Sequence, residues 1–257
     1  MSRIFITGSA DGLGLMAARL LIAAGHEVLL HGRNEARCEA ALHAARGALG
    51  VVSGELSSIE QTVALAGQVN RAGRFDAVIH NAAVGYREPR RIQTTDGLPH
   101  VFAVNTLAPY ILTALIEKPQ RLVYLSSGLH RQGDATLHDL AWEQRPWQGT
   151  QAYSDSKLHD ALLAFAVARR WREVYSNALE PGWVATKMGG PEAPDDLDAA
   201  PKTQVWLAVS DEAAATVSGE YFYHQKPRAP LPVVYDESVQ ERLLGACERY
   251  SGIRLPD

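Results

Sequence analysis

Tyr153 and Lys157 stand four residues apart at the head of a long apolar run. That spacing puts both side chains on one helix face, with Cβ atoms about 5–6 Å apart. A phenol of pKa ~10 is a poor acid or base at neutral pH, and a cation beside its oxygen favours the phenolate. Lowering that pKa by ~3 takes about 4 kcal/mol of differential stabilisation, within reach of a lysine acting with a second nearby cation. The pair has the chemistry of a proton donor and acceptor for an oxygen that gains and loses charge. Chance supplies such a pair often, so the rest of the chain decides.

A second signal lies at the N-terminus. The β-rich run Arg3-Ile4-Phe5-Ile6-Thr7 leads into Gly8-Ser9-Ala10-Asp11-Gly12-Leu13-Gly14, and a helical pattern follows from Leu15 to Ala24. Strand, glycine-rich turn and helix are the setting of a dinucleotide phosphate site. Glycines let the backbone approach the pyrophosphate, and the free N–H groups of the helix N-terminus receive its charge. The spacing is G-x-x-x-G-x-G rather than G-x-G-x-x-G.

Taken together, these residues make the chain resemble the short-chain dehydrogenase/reductase family over nearly its whole length. Thr7 to Gly14 is similar to the family's T-G-x-x-x-G-x-G cofactor turn, and His80-Asn81-Ala82-Ala83 stands in the place of N-N-A-G. Asn105 matches a helix-embedded catalytic Asn, and Ser126-Ser127 closes the strand that carries the catalytic Ser. Tyr153 and Lys157 match Y-x-x-x-K, and Pro181-Gly182-Trp183-Val184-Ala185-Thr186 matches the P-G-x-V-x-T segment beside the nicotinamide. Six motifs in order are far more specific than any one.

The resemblance implies a nicotinamide cofactor, and one position bears on which. NAD-preferring relatives carry a ribose-binding Asp where this chain has Gly32, and Arg33 next to it can offer a fork of donors to a 2′-phosphate. NADP(H) is therefore expected over NAD(H), although Asp11 is not the basic residue some NADP enzymes carry there. The cofactor-binding set expected is Gly8, Ser9, Asp11, Gly12, Leu13, Gly14, Arg33, Glu55, Leu56, Asn81, Ala82, Ala83, Tyr153, Lys157, Pro181, Gly182, Val184 and Thr186. Glu55-Leu56 replaces an Asp-Leu or Asp-Val pair, and His80 and Ala83 relax the N-N-A-G motif. A strand-end histidine is more often packed than proton-donating, so His80 is given no role.

The sequence's β-like runs near 3–7, 27–31, 48–52, 75–80, 121–126, 174–179 and 220–224 alternate with helical patterns near 13–24, 35–46, 57–70, 98–117, 152–170, 202–209 and 237–250. Strands separated by helix-length segments predict an α/β, Rossmann-type doubly wound parallel sheet of about seven strands with helices on both faces. One domain, residues 1–257, suits this length. Two segments break the rhythm: an insertion at 128–151 and a Pro-, Gly- and Asp-rich stretch at 187–201, which family members use as a lid over substrate. His130, His138 and Asp139 in the insertion have no metal-ligand spacing, and no metal is expected. The insertion, with Asp96-Gly97 and Ser156-Lys157-Leu158, is similar to the retinol-dehydrogenase and protochlorophyllide-reductase side of the family, where substrates tend to be bulky and apolar. Trp142, Trp147, Trp183 and Met188 are candidates to wall such a pocket, or else to anchor loops.

Apolar residues make up 46% and charged residues 21% of the chain, and a net charge of −4 offers no basic surface for nucleic acid. No apolar run reaches ~18 residues, no secretory n-region precedes Arg3, and Cys38 and Cys247 lie far apart; a cytoplasmic, non-membrane protein is expected. The stretch Ala161 to Ala168 is apolar on every side, which predicts a sheet on one side and a second subunit on the other, in a homodimer or homotetramer.

The family likeness implies hydride transfer between NADP(H) and a carbonyl/alcohol carbon of a small-molecule substrate. Tyr153 would be the acid/base and Ser127 would hold the substrate oxygen, with Ser126 competing for that place. Lys157 would depress the Tyr153 pKa and hold the nicotinamide ribose, and Asn105 would keep a water chain to Lys157. Two alternatives stay open: an NADP(H) sensor without turnover, and a reductase of an activated C=C bond.

Overall fold

The computed structural model describes residues 1–257. Its sheet is built from β1 (Arg3–Ile6), β2 (Glu27–Gly32), β3 (Gly50–Ser53), β4 (Ala77–His80), β5 (Arg121–Leu125), β6 (Tyr175–Glu180), β7 (Tyr221–Tyr223) and β8 (Lys226–Pro227). The strand order is β3-β2-β1-β4-β5-β6-β7-β8, parallel except for the β7/β8 hairpin. Eight strands replace the seven expected, because the two-residue β8 carries no periodic signal of its own. The central strands are buried on both faces, as a doubly covered parallel sheet requires.

Helices α1 (Gly12–Ala23), α2 (Glu35–Ala44), α3 (Ile59–Arg71), α4 (His100–Phe102), α5 (Ala108–Leu115), α6 (Gly149–Arg170), α7 (Lys202–Val209) and α8 (Glu237–Ser251) complete one α/β domain. One core lies between the sheet and α1, α2 and α7; a larger one lies under α3, α5, α6 and α8. Asp11 caps α1, Asn34 α2 and Ser58 α3, so each returning helix starts on a side chain that takes an otherwise unpaired N–H. Between α4 and α5 a π-turn spans Ala103–Leu107, an extra residue in the helical ladder of the kind found at functional sites.

The apolar stretch of α6 is covered within this chain, so its apolarity by itself calls for no second subunit. One side meets β5 and β6; the other meets α8 and the short turns at Gly128–Gln132 and Pro232–Tyr235, where Phe165 packs edge-on against Tyr235 at 5.3 Å. The C-terminal residues close the same side. Tyr110 of α5 donates to the Ile253 carbonyl and accepts from the Leu255 N–H, and Trp171 donates to the Pro256 carbonyl. No helix is long and apolar enough to cross a membrane.

Candidate active site

At the C-terminal ends of β1 and β4, where the strand order reverses, a cleft of about 480 Å³ opens, as ligand sites do in open α/β sheets. Its floor is the turn after β1. Gly8 has φ +64°, and a Cβ there would stand 2.9 Å from the Ala82 Cα; one on Gly14 would stand 2.4 Å from the Asn81 Nδ2. Only glycine lets the turn, α1 and the end of β4 close up in this way. Asn81 seals the junction, its Nδ2 donating to the Thr7 and Gly8 carbonyls, while the Thr7 hydroxyl accepts from the Asn81 and Ala82 N–H groups. Gly8, Asp11, Gly12 and Leu13 face the cleft; Gly14 serves the packing behind it. Ser9 is also behind it: fully buried, its hydroxyl donates to the Ile6 carbonyl and accepts from the His31 N–H, which ties β1 to β2. His31, unassigned from sequence, accepts the Gly8 N–H at Nδ1 and donates from Nε2 to the Gly54 carbonyl, and burial lowers its pKa.

The far end of the cleft is formed by Arg33, Arg37, Glu55 and Leu56. A Cβ on Gly32 would lie 2.7 Å from the Cys38 backbone nitrogen, so the first turn of α2 leaves no room for a carboxylate there. Arg37 was missed in the sequence because its place in the first turn of α2, beside the β2 end, depends on how the helix returns. It lies 3.4 Å from Asp11, whose carboxylate also bonds Lys187, and the Lys187 hydrogen bond leads the causes that hold its pKa down.

At the near end stand Tyr153 and Lys157, both buried. The Lys157 ammonium donates to the Leu125 carbonyl at 2.7 Å and to Asp160 Oδ2 at 2.8 Å. Burial pulls its pKa down, but Asp160 and Tyr153 more than offset this, and it stands above the ordinary lysine value. Burial raises the Tyr153 pKa, and the Lys157 charge and the Ser127 hydroxyl oppose this without reversing it. The lysine alone therefore does not acidify the phenol, which is out of water and has Asp160 set against its cation. Ser126 uses its hydroxyl on the Lys157 carbonyl at 2.7 Å, whereas the Ser127 hydroxyl accepts from the Leu129 N–H at 3.3 Å and stands beside the Tyr153 phenol. Asn105 makes no direct hydrogen bond to Lys157. Its Oδ1 accepts from the Val84 N–H and its Nδ2 donates to the Val84 carbonyl and the Ser156 hydroxyl, so its side chain pins α6 to the strand-end loop. His80 is packed, its Nε2 against Thr113, with burial lowering its pKa to about 3.

Pro181 and Thr186 face the cleft, as do Ala82 and Ala83. Gly182 and Val184 instead hold their loop: Gly182 has φ +89° with Asp195 against it, and buried Val184 bridges to Asp195. Met188 reaches over the site, its sulfur 3.8 Å from the Tyr153 hydroxyl, and Tyr86 meets the Tyr153 ring edge-on at 5.7 Å. Trp142 and Trp147 prove to be anchors. They pack together at 5.0 Å, Arg145 lies 3.6 Å over the Trp142 ring, and Trp147 donates to the Glu88 carbonyl. Trp183 is half exposed. His130 is spent within the fold, its Nδ1 on the Ser127 carbonyl and its Nε2 accepting from the Leu231 N–H.

Residues 2–197 match the model of the short chain dehydrogenase family. The chain is 43% identical to an uncharacterized oxidoreductase of Emericella nidulans, over 100% of this chain and 99% of that one. It is 42% identical to a short-chain dehydrogenase of Penicillium rubens over the whole of both chains, and 32% identical to human retinol dehydrogenase 13 over 98% of this chain and 85% of that one. Among solved structures, an uncharacterized protein from Mycobacterium Paratuberculosis superposes with a TM-score of 0.86 at 24% identity, covering 100% of this chain and 96% of that one, which shows the shared fold. The two fungal likenesses run from end to end at an identity that carries more than a fold, and the human one lies on the retinol-dehydrogenase side that the insertion suggested. The chain belongs to the short-chain dehydrogenase family and is an oxidoreductase.

Proposed function

We propose that the protein is an NADP(H)-dependent reductase or dehydrogenase acting on a carbonyl/alcohol carbon of an apolar small molecule, with Tyr153 as general acid/base. One observation carries this reading. A single cleft has two arginines and no carboxylate at the Gly32 position at one end, and a phenol and an ammonium at the other, with the Ser127 hydroxyl beside the phenol. The residues suit the cofactor. The Gly8 turn gives a backbone floor, the first-turn N–H groups of α1 lack intrahelical acceptors, and Arg33 and Arg37 supply donors for a 2′-phosphate. The bound nicotinamide would supply or accept the hydride.

The chain's own residues handle the oxygen. As a carbonyl carbon is reduced, its oxygen gains negative charge; the Ser127 hydroxyl donates to it and fixes its position, and the Tyr153 hydroxyl passes its proton to it. Lys157 opposes the charge then left on the phenolate, and its third N–H remains for the cofactor ribose. Asn105 acts by position, keeping the first turns of α6 against the loop after β4. Residues 187–201 form the substrate loop in this reading, since Met188 stands over the reacting hydroxyl and gives way to an apolar ligand. A reducing compartment such as the cytoplasm accords with two unpaired, buried cysteines. No homodimer or homotetramer is invoked, because the α6 surface that suggested one is covered.

Tyr153→Phe tests the assignment. It is expected to lower reductive kcat by at least about 10²-fold, the usual worth of a placed proton donor, while leaving NADPH binding by fluorescence titration within a factor of two. Turnover near that of the unaltered protein would remove Tyr153 from this role.

A further inference from the structure

Lys157 has three N–H donors, and two are anchored inside the protein, on Leu125 O and Asp160 Oδ2. Asp160 follows at i+3 on the same helix, one turn further from the cleft, and both side chains are only 3% exposed. A buried carboxylate is costly unless paired, and Lys157 is the cation that pairs it. The other titratable groups around this pair are phenols and one imidazole. Tyr153 belongs to α6 and Tyr86 approaches it from the loop after β4. The β5 hydroxyl of Tyr124 bonds Thr113 of α5 at 2.7 Å, with neutral His80 of β4 behind it. Asp160 is thus the one anion set against the Tyr153/Lys157 pair.

We propose that Asp160 is a positioning residue for proton transfer: its carboxylate holds the Lys157 ammonium charged and turned so that one N–H is left for the cleft, and its negative charge sets the pH at which the Tyr153/Lys157 pair gives up its first proton. The inference rests on the proposed role of Tyr153. It follows from the sign of the charge, whichever partner releases that proton. If the lysine goes first, removing Asp160 leaves a buried ammonium without its counter-ion; if the tyrosine goes first, removing Asp160 leaves the lysine's pull on the phenol unopposed. Either way, the proton departs more readily. The carboxyl itself is pushed up to about 6 by burial, against the opposing Lys157, so the arrangement is complete only above that pH.

Asp160→Asn keeps the shape and an acceptor and removes the charge. The alkaline limb of reductive kcat/KM is expected to move to lower pH by about one pH unit, the size of effect one adjacent charge produces. The same proton loss is to be followed without turnover in the cofactor-free protein. Phenolate absorbance, differenced against Tyr153→Phe, reports the tyrosine; carbon NMR of the five lysine side chains, with Lys157→Met for assignment, reports the lysine. At least one of these is expected to shift with the limb, and Asp160→Glu, which restores the charge, to bring it back. A limb and both titrations unmoved in Asp160→Asn would overturn the proposal, and Asp160→Ser makes the same comparison if the Asn variant does not fold. Failure of the Tyr153 assignment would show separately, as turnover in Tyr153→Phe, while the spectroscopic titrations still report on Asp160.

Discussion

Arg33 and Arg37 differ in what already holds them. Arg37 bridges to Asp11, so an arriving phosphate exchanges one anion for another, whereas Arg33 is exposed at the rim and gains a partner outright. Replacing either with alanine is expected to weaken NADPH binding about 10- to 100-fold, the cost of losing a charged hydrogen bond, and to leave NADH within a factor of three. Fluorescence titration with both cofactors checks this; equal losses for the two would place the arginines away from any 2′-phosphate. At this scale the sequence was legible where a residue type and a local spacing sufficed, as for Gly8, Asn81, Tyr153 and Lys157. Met188 was one of four apolar candidates, and of these it is the one that reaches the cleft. Arg37 and Asp160 were not legible. The first reaches the cleft only through chain return, and the second shares an ordinary i,i+3 spacing with Lys157 that says nothing about burial.

The insertion at 128–151 shows what an element without periodicity uses instead. Asp139 accepts from the N–H groups of Glu143, Gln144 and Arg145, and Leu137, Asp139 and Trp142 adopt positive φ, a conformation that leaves no hydrophobic pattern to read. Arg145 then locks the segment onto α6, bonding Asp155 at 2.7 Å while stacked on Trp142. Arg145→Ala would leave the Asp155 carboxylate, 5% exposed, without its cation, and is expected to cost about 3–5 kcal/mol in urea denaturation. A loss below about 1 kcal/mol, the range of surface ion pairs, would mean that water relaxes onto Asp155. The helix after this segment was legible to its end at Arg170, although it starts at Gly149 rather than at 152. What lies against α6 was not, because apolarity on every side records burial without naming the neighbour, here α8 of the same chain.

For the molecule as a whole, buried histidines set the response to acid. Burial holds His80 at about 3 and His159 at about 4, below the unfolded value of about 6.5. A depressed folded pKa means that the unfolded chain binds more protons, so this stability is present above pH 6.5 and is lost as pH falls toward 4. Asp160, raised to about 6, acts in the opposite direction but is one group against two. Thermal midpoints are therefore expected to fall steadily from pH 6.5 to pH 4; a flat profile over that window would mean that the histidines take up protons without unfolding. The strand order and both cores follow from the alternation of patterns along the chain, since right-handed crossovers leave few other arrangements.

The last residues bear on all of this from a distance. Tyr110 follows the π-turn of Asn105 along the same helical stretch, and Trp171 ends the helix that begins near Tyr153, yet both hand their polar atoms to positions 253–256. Detachment of residues 253–256 would therefore uncover the outer flanks of the helix that carries Tyr153 and Lys157 and of the stretch that carries Asn105, so the tightness of the cleft is guarded at a point in the sequence that never touches it.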